Sequence, residues 1–155
     1  MSFITTSPVA EADEAEISSN AFYPNVDPAK VRESQRIDGT VTTQRLRDAL
    51  IEAIATVNAE TEAWRLLREA EGYATLAAVP APVIDEISIN THRYQRAVGC
   101  LAKATLIERY RDYDSTGSGN KKADELETPL DDLRRDARWA INDIIGVSRT
   151  TIALI

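Results

Sequence analysis

The apolar positions of the chain follow a helical period over most of its length. Between Thr43 and Glu71 they recur every three or four residues, a spacing that places them on one face of a helix. The predicted inward positions are Leu46, Leu50, Ile54, Val57, Thr61, Trp64 and Leu67. A helix that ends at Gly72 would be about 40 Å long. Only part of that length can pack on a small domain, so we expect the remainder to meet a neighbouring protein.

A short helix and two further long helices are predicted by caps and by the same period. Asp27 followed by Pro28 is typical of a helix start, and this helix should run to about Arg36 and stop before Gly39. The second long helix should begin near Ser88 or Asn90 and end near Tyr113. Its predicted inward residues are Tyr94, Val98, Leu101, Thr105, Leu106 and Ile107.

The third long helix has its start signals in Thr128, Pro129 and Asp131, and it should run to Ile145 and end at Gly146. Its predicted inward residues are Leu130, Leu133, Ala137, Ala140, Ile141 and Ile144. The sequence therefore predicts an all-α fold, a small bundle of two or three long helices plus a short N-terminal helix, with extended N- and C-terminal arms.

The segments outside these helices divide the chain into three parts. Residues 1–20 are small and polar and form a predicted N-terminal arm that cannot fold alone, because it buries too little to offset its chain entropy. Residues 21–146 form the helical domain, and residues 147–155 form a β-branched, apolar tail suited to docking on a partner. Within the domain, residues 72–87 contain Pro80 and Pro82 and are expected to form an ordered loop that covers the core with Tyr73, Leu76 and Val79.

Composition narrows the function classes. The chain has 155 residues, 43% hydrophobic and 28% charged, which is typical of one globular domain. Its formal net charge of −7 argues against a protein that grips nucleic acid, since such proteins carry a basic face. The N-terminus lacks the pattern of a signal peptide, and no apolar run approaches the length of a membrane span. We therefore expect a soluble, intracellular protein.

Residues that could carry chemistry are few. His92 and Cys100 lie about 12 Å apart along one predicted helix, too far to share a proton, and Cys100 is expected to be a core residue. Asp112 to Gly117 resembles the first half of a calcium-binding loop, but the twelfth position is Ala123 rather than the glutamate that binds Ca²⁺. A solvated turn over residues 114–122 is therefore favoured.

Phosphate and transition-metal sites are not predicted either. Gly117 to Lys122 lacks the residue order of a phosphate-binding loop, and a single histidine cannot provide a di-iron bundle motif. Arg134, Arg135 and Arg138 form a small basic patch, for which pairing with Asp131, Asp132 and Asp136 is favoured over contact with an acidic partner. We expect neither an enzyme nor a cofactor.

Several segments together carry a resemblance to a known family. They are Phe22-Tyr-Pro-Asn-Val-Asp-Pro-Ala-Lys-Val-Arg32, Gly72-Tyr-Ala-Thr-Leu-Ala-Ala-Val-Pro80, Glu108-Arg-Tyr-Arg111 with Lys121-Lys-Ala-Asp124, and Asp132-Leu-Arg-Arg-Asp-Ala-Arg-Trp139-Ala. From Phe22 to Ile155 the chain resembles the head completion and stabilisation protein family of P2-like tailed phages. No single segment would be sufficient, but their combination is specific.

The resemblance implies a structural head–tail connector with no catalytic residues. Such an adaptor would bind below the portal protein after DNA packaging, stabilise the filled head and offer a surface to a tail terminator or neck protein. It would form a homo-oligomeric ring, expected to be a dodecamer, at the head–tail junction of a virion assembled in the host cytoplasm. Packaged DNA would pass through without specific binding, and no membrane is expected as a partner.

The residue pattern suggests which positions make these contacts. The predicted portal-binding residues are Val147, Arg149, Thr151, Ile152, Leu154 and Ile155, and the predicted subunit interface is Phe22, Tyr23, Trp64, Arg138 and Trp139. The alternative is a small helical adaptor or regulatory module with a protein partner unrelated to virions. A ring in solution, or capture of a portal, would separate the two.

Overall fold

The computed structural model describes residues 14–111 and 130–149. In these ranges the helices are α1 (Pro28–Ser34), α2 (Thr43–Ala70), α3 (Ile89–Arg111) and α4 (Leu130–Ile145), with a single 3₁₀ turn at Leu76–Ala78. A hairpin of two short strands, β1 (Val83–Ile84) and β2 (Ile87–Ser88), precedes α3. The predicted all-α bundle is confirmed.

Local capping explains where the helices begin and end. The Asp27 carboxylate accepts the Ala29 N–H at 2.9 Å at the start of α1, and the Thr42 hydroxyl accepts the Arg45 N–H at the start of α2. Gly72 and Gly146, with φ of 99° and 77°, follow α2 and α4 in the left-handed conformation that ends a helix. The predicted boundaries hold within a few residues, except that α1 is shorter than expected.

The three long helices pack in antiparallel order. The first half of α3 lies beside the second half of α2, where the Tyr94 hydroxyl donates a hydrogen bond to Asn58 Oδ1 at 2.8 Å. Further along α3, Lys103 donates to the carbonyl oxygen of Gln35, which precedes α2. α4 runs back along α3, since Arg93 contacts the Asp143 carbonyl near one end and Arg134 pairs with Glu108 near the other.

The core confirms most of the predicted inward face of α2. Leu46, Leu50 and Val57 are fully buried, and Thr61 is buried with them. Leu67 was predicted inward, but it is 60% exposed. The prediction was wrong because the residue one turn after Trp64 on the same face of α2 is Arg68 and not Leu67. The Arg68 guanidinium lies over the Trp64 ring.

The inward faces of α3 and α4 are also largely as predicted. Tyr94, Val98 and Leu106 are buried, while the other three predicted residues, Leu101, Thr105 and Ile107, are only partly buried. In α4 the buried residues are Leu133, Ala137, Ala140, Ile141 and Ile144, and Leu130 is partly buried. α4 therefore completes the bundle with one continuous apolar stripe.

Residues 14–20 lie against the helical body. Ile17 is buried and exchanges backbone hydrogen bonds of 2.8 and 2.9 Å with Val26. The Glu14 carboxylate pairs with Arg32 at 2.5 Å, and the same guanidinium donates to the Asp38 and Val41 carbonyls. Residues 1–13, which carry the rest of the predicted arm, lie outside the described residues.

The segment between α2 and α3 covers the core, as expected of an ordered loop. Leu76 and Val79 are buried and Tyr73 packs partly against the core. The hairpin within this segment was not predicted. Its turn holds Asp85 and Glu86 at φ of 52° and 61°, a conformation that usually requires Asn or Gly.

Candidate interaction surfaces

Exposed apolar side chains collect at one end of the bundle. The antiparallel packing brings together the end of α2, the hairpin before α3 and the end of α4. The large hydrophobic residues exposed there are Leu66, Leu67, Val83, Ile84, Ile87 and Val147, with exposures between 40% and 67%. We call this set the apolar end. Six of the seven large hydrophobic residues that are exposed in the described part of the chain lie at this end, which makes it a candidate interaction surface.

The hairpin is held against α3 by polar contacts. The Ile89 N–H donates to the Pro82 carbonyl at 2.9 Å. His92 Nε2 lies 2.9 Å from the Ile84 carbonyl, and this carbonyl can only accept, so the ring is protonated at Nε2. The hairpin thus presents Val83 and Ile84 outward from a fixed position.

The chain turns back on itself after α4. The Val147 N–H donates to the Asn142 carbonyl at 2.9 Å, and Gly146 allows the reversal. Arg149 then reaches Asp143, with Nε at 3.2 Å from Oδ1 and Nη2 at 2.5 Å from Oδ2. This bidentate pair lowers the pKa of Asp143 below its usual value, because the Arg149 hydrogen bonds stabilise the charged carboxylate.

Trp139 lies between two guanidinium groups. Arg149 and Arg135 each lie with Cζ 4.8 Å from the centre of the Trp139 ring. Arg135 also pairs with Asp132 at 2.5 Å. The ring was predicted to meet a neighbouring subunit, and in this structure it is half-buried by its own arginines.

The other residues of the predicted subunit interface lie in different surroundings. Phe22 and Tyr23 are 2% and 5% exposed and pack edge to face inside the core, so their side chains are occupied within the chain itself. Trp64 is partly buried against Phe22, with ring centres 6.2 Å apart. Arg138 lies on the surface and pairs with Glu60 of α2. The structure thus leaves Trp64, Arg138 and Trp139 with surface that a neighbour could contact.

Of the predicted portal-binding residues, Val147 and Arg149 are in the described part of the chain. Val147 is 51% exposed and belongs to the apolar end. Thr151, Ile152, Leu154 and Ile155 lie outside the described residues. The described part of the tail, up to Arg149, therefore begins at the apolar end.

The arginines of the basic patch are paired with carboxylates, as expected, but two of the three have partners on other helices. Arg135 pairs with Asp132 and Asp136, on its own helix. Arg134 pairs with Glu108 of α3, and Arg138 with Glu60 of α2. Two of the three arginines therefore join helices, which spacing along one helix could not indicate.

The candidate chemical groups remain apart. Cys100 is buried, and burial raises the pKa of its thiol. His92 binds the hairpin and lies near the start of the same helix. Within residues 14–111 and 130–149, no group of three or more histidine, cysteine, aspartate or glutamate side chains could hold a metal ion. The calcium-like loop and the segment Gly117–Lys122 lie outside the described residues.

None of the described helices is both long enough and apolar enough to cross a membrane.

Sequence reasoning missed most of the apolar end. Leu67 was assigned to the inward face of α2, and Val83, Ile84 and Ile87 were assigned to a covering loop. One signal was available, namely three large apolar residues around the acidic pair Asp85 and Glu86. An apolar run interrupted by a polar pair is typical of a hairpin, although neither residue favours the turn.

Comparison with known proteins agrees with the resemblance noted from the sequence. The chain is 42% identical over 148 residues to the head completion/stabilization protein of Escherichia phage P2, and the matched region covers 96% of this chain and 88% of that protein. No solved structure matches the chain significantly. The profile of the phage head completion protein (GPL) family matches residues 17–155, and the chain therefore belongs to this family of structural phage proteins.

Proposed function

We propose that the protein is a subunit of the head–tail connector, which binds below the portal, closes the DNA-filled head and offers the surface on which the tail attaches. The observation that carries the proposal is the position of the C-terminal tail, which leaves the bundle at the apolar end. A tail with three large apolar residues, Ile152, Leu154 and Ile155, is suited to fill a groove or add a strand to a partner.

The apolar end supports a contact larger than the tail alone. Val83 and Ile84 project from a hairpin that is fixed to α3, so docking would not require them to be ordered first. Leu66 and Leu67 are also exposed, near the end of α2 at the same end of the bundle. We assign the portal to this end of the bundle and the tail terminator or neck protein to the opposite end.

Assembly into a ring, expected to be a dodecamer, would use the sides of the bundle. Trp64, Arg138 and Trp139 are the predicted interface residues that retain surface. A net charge of −7 per subunit would give the ring an acidic channel that packaged DNA passes without binding. A basic channel in an assembled ring would contradict this part of the proposal.

The test is binding to purified portal, followed by negative-stain microscopy. Wild-type protein should add a layer of density under the portal. Replacing Ile152, Leu154 and Ile155 with serine should abolish that layer, because the apolar contact is lost. Replacing Thr150 with serine is the matched control and should leave binding intact.

Two outcomes would overturn the assignment. Normal portal binding by the triple serine variant would show that the tail is not the docking element. A wild-type protein that stays monomeric and adds no density would refute the connector role and favour the alternative, a helical adaptor with another protein partner.

A further inference from the structure

We propose that Trp139, Asp143 and Arg149 form a latch that sets the direction in which the C-terminal tail leaves the bundle. The latch positions the tail for docking on its partner, and in that respect the inference rests on the proposed function. Trp139 and Arg149 were expected to contact other proteins, whereas in the structure Arg149 contacts both Trp139 and Asp143.

The geometry gives one guanidinium two independent partners. Arg149 donates to both carboxylate oxygens of Asp143, at 3.2 and 2.5 Å, and its Cζ lies 4.8 Å from the centre of the Trp139 ring. Trp139 and Asp143 are four residues apart and therefore face the same side of α4. An arginine satisfies both contacts at once because its planar fork matches the carboxylate while its face stacks on the ring.

The turn after α4 makes the latch possible. Gly146 adopts a φ of 77° and the Val147 N–H returns to the Asn142 carbonyl. The backbone from Gly146 to Arg149 is consequently held at two points, by the turn at one end and by the Arg149 side chain at the other. Arg149, the last described residue, is therefore held close to α4 at the apolar end.

Pre-ordering of this kind changes affinity without adding a contact to the partner. A tail that leaves the bundle in many directions loses more entropy on docking than one already aimed at its groove. The two contacts are individually weak, since each involves a partly exposed side chain. Together they correspond to roughly a three- to tenfold preference for the closed latch.

The latch can be tested in the isolated protein, because Arg149 is itself a trypsin site. Trypsin must take the guanidinium into its own pocket, so cleavage between Arg149 and Thr150 requires the latch to open. Trp139→Ala and Asp143→Asn should each raise the rate of this cleavage roughly three- to tenfold, followed by mass spectrometry. Trp139→Phe keeps a ring and should lie between wild type and Trp139→Ala.

Arg134→Ala is the matched control for a general loss of stability. Arg134 lies on α4, has the same side-chain exposure as Arg149, 48%, and pairs with a carboxylate, Glu108. Its removal should leave cleavage after Arg149 unchanged. Equal cleavage in wild type, Trp139→Ala and Asp143→Asn would refute the latch, and an equal rise in Arg134→Ala would reduce it to ordinary loosening of the fold.

Portal affinity separates the latch from the proposed function. Trp139→Ala and Asp143→Asn should bind the portal several-fold more weakly than Arg134→Ala. If they cleave faster but bind as tightly as wild type, while the triple serine tail variant loses binding, the positioning role is refuted. If the tail variant still binds, the proposed function is wrong, and the cleavage rates alone decide whether the latch exists.

Discussion

A buried hydrogen bond between Tyr23, which precedes α1, and Thr61 of α2 allows a direct test of how these segments pack. The Tyr23 hydroxyl lies 2.6 Å from Thr61 Oγ1, and both residues are buried. The Thr61 hydroxyl also lies 2.8 Å from the Val57 carbonyl, which can only accept. Since a threonine hydroxyl has one proton, Thr61 donates to Val57 and accepts from Tyr23.

This assignment makes the two single substitutions unequal. Thr61→Val keeps the shape of the side chain but leaves the buried Tyr23 hydroxyl with no acceptor there, which costs about 1–3 kcal/mol of the free energy of unfolding. Tyr23→Phe leaves Thr61 still bonded to Val57 and should cost about 1 kcal/mol. The double variant removes both polar partners and should therefore be more stable than Thr61→Val alone.

Urea unfolding followed by helical circular dichroism measures these differences. With a slope of about 2 kcal/mol per molar urea, a loss of about 2 kcal/mol lowers the unfolding midpoint by about 1 M. Thr56→Val is the matched control, because Thr56 makes the same hydrogen bond to a carbonyl four residues earlier but is exposed. It should change stability by less than about 0.5 kcal/mol. Additive losses in the double variant would refute the reasoning.

Three further predictions concern other parts of the fold. Burial raises the pKa of Tyr94 to about 12, so the folded state keeps a proton that the unfolded chain loses near pH 10. Stability should fall as pH rises from 10 towards 12, by up to about 1 kcal/mol at pH 11, and urea titrations should show a shallower fall in Tyr94→Phe. Arg32→Leu should cost about 3 kcal/mol at pH 7, because it removes the ion-pair partner of the Glu14 carboxylate. Arg32 also lowers the pKa of Glu14, so the wild type loses this stabilisation as pH falls through that lowered pKa. In thermal melts, the difference in stability between wild type and Arg32→Leu should be smaller at pH 3 than at pH 7. Equal differences at the two pH values would contradict the assignment. Glu86→Gly should raise the melting temperature, because it removes the backbone strain of a non-glycine residue at φ 61°, which is worth up to about 1 kcal/mol. Gly146→Ala should lower the melting temperature, because it introduces that strain at φ 77°.

Much of the secondary structure could be read from the sequence because its causes are local. The Asp27 and Thr42 caps act within a few residues of their own helix, and Gly72 and Gly146 end helices through their own φ angles. The family resemblance could also be recognised from the sequence, since it rests on short segments of the chain.

Tertiary structure decided which of the apolar residues stay exposed. Periodicity records the direction of a side chain around its own helix, but burial requires another element at the same level. Trp64 and Leu67 were both predicted inward, yet Trp64 meets Phe22 while Leu67 is 60% exposed near the end of α2. The hairpin likewise depends on contacts from Ile84 and Pro82 to α3, which compensate for unfavourable turn residues.

The partners of the arginines were decided in the same way. Helical spacing identified neighbours within α4, and it was correct for Arg135. Arg134, Arg138 and Arg149 instead reach Glu108, Glu60 and Asp143, across helices or across a turn. The sequence by itself thus determined the helices, their ends and the family. The fold alone determined the apolar end, because it joins residues that are distant in the chain and come to one end only when the helices pack. Trp139, Asp143 and Arg149 instead lie close together in the chain and meet through the turn at Gly146.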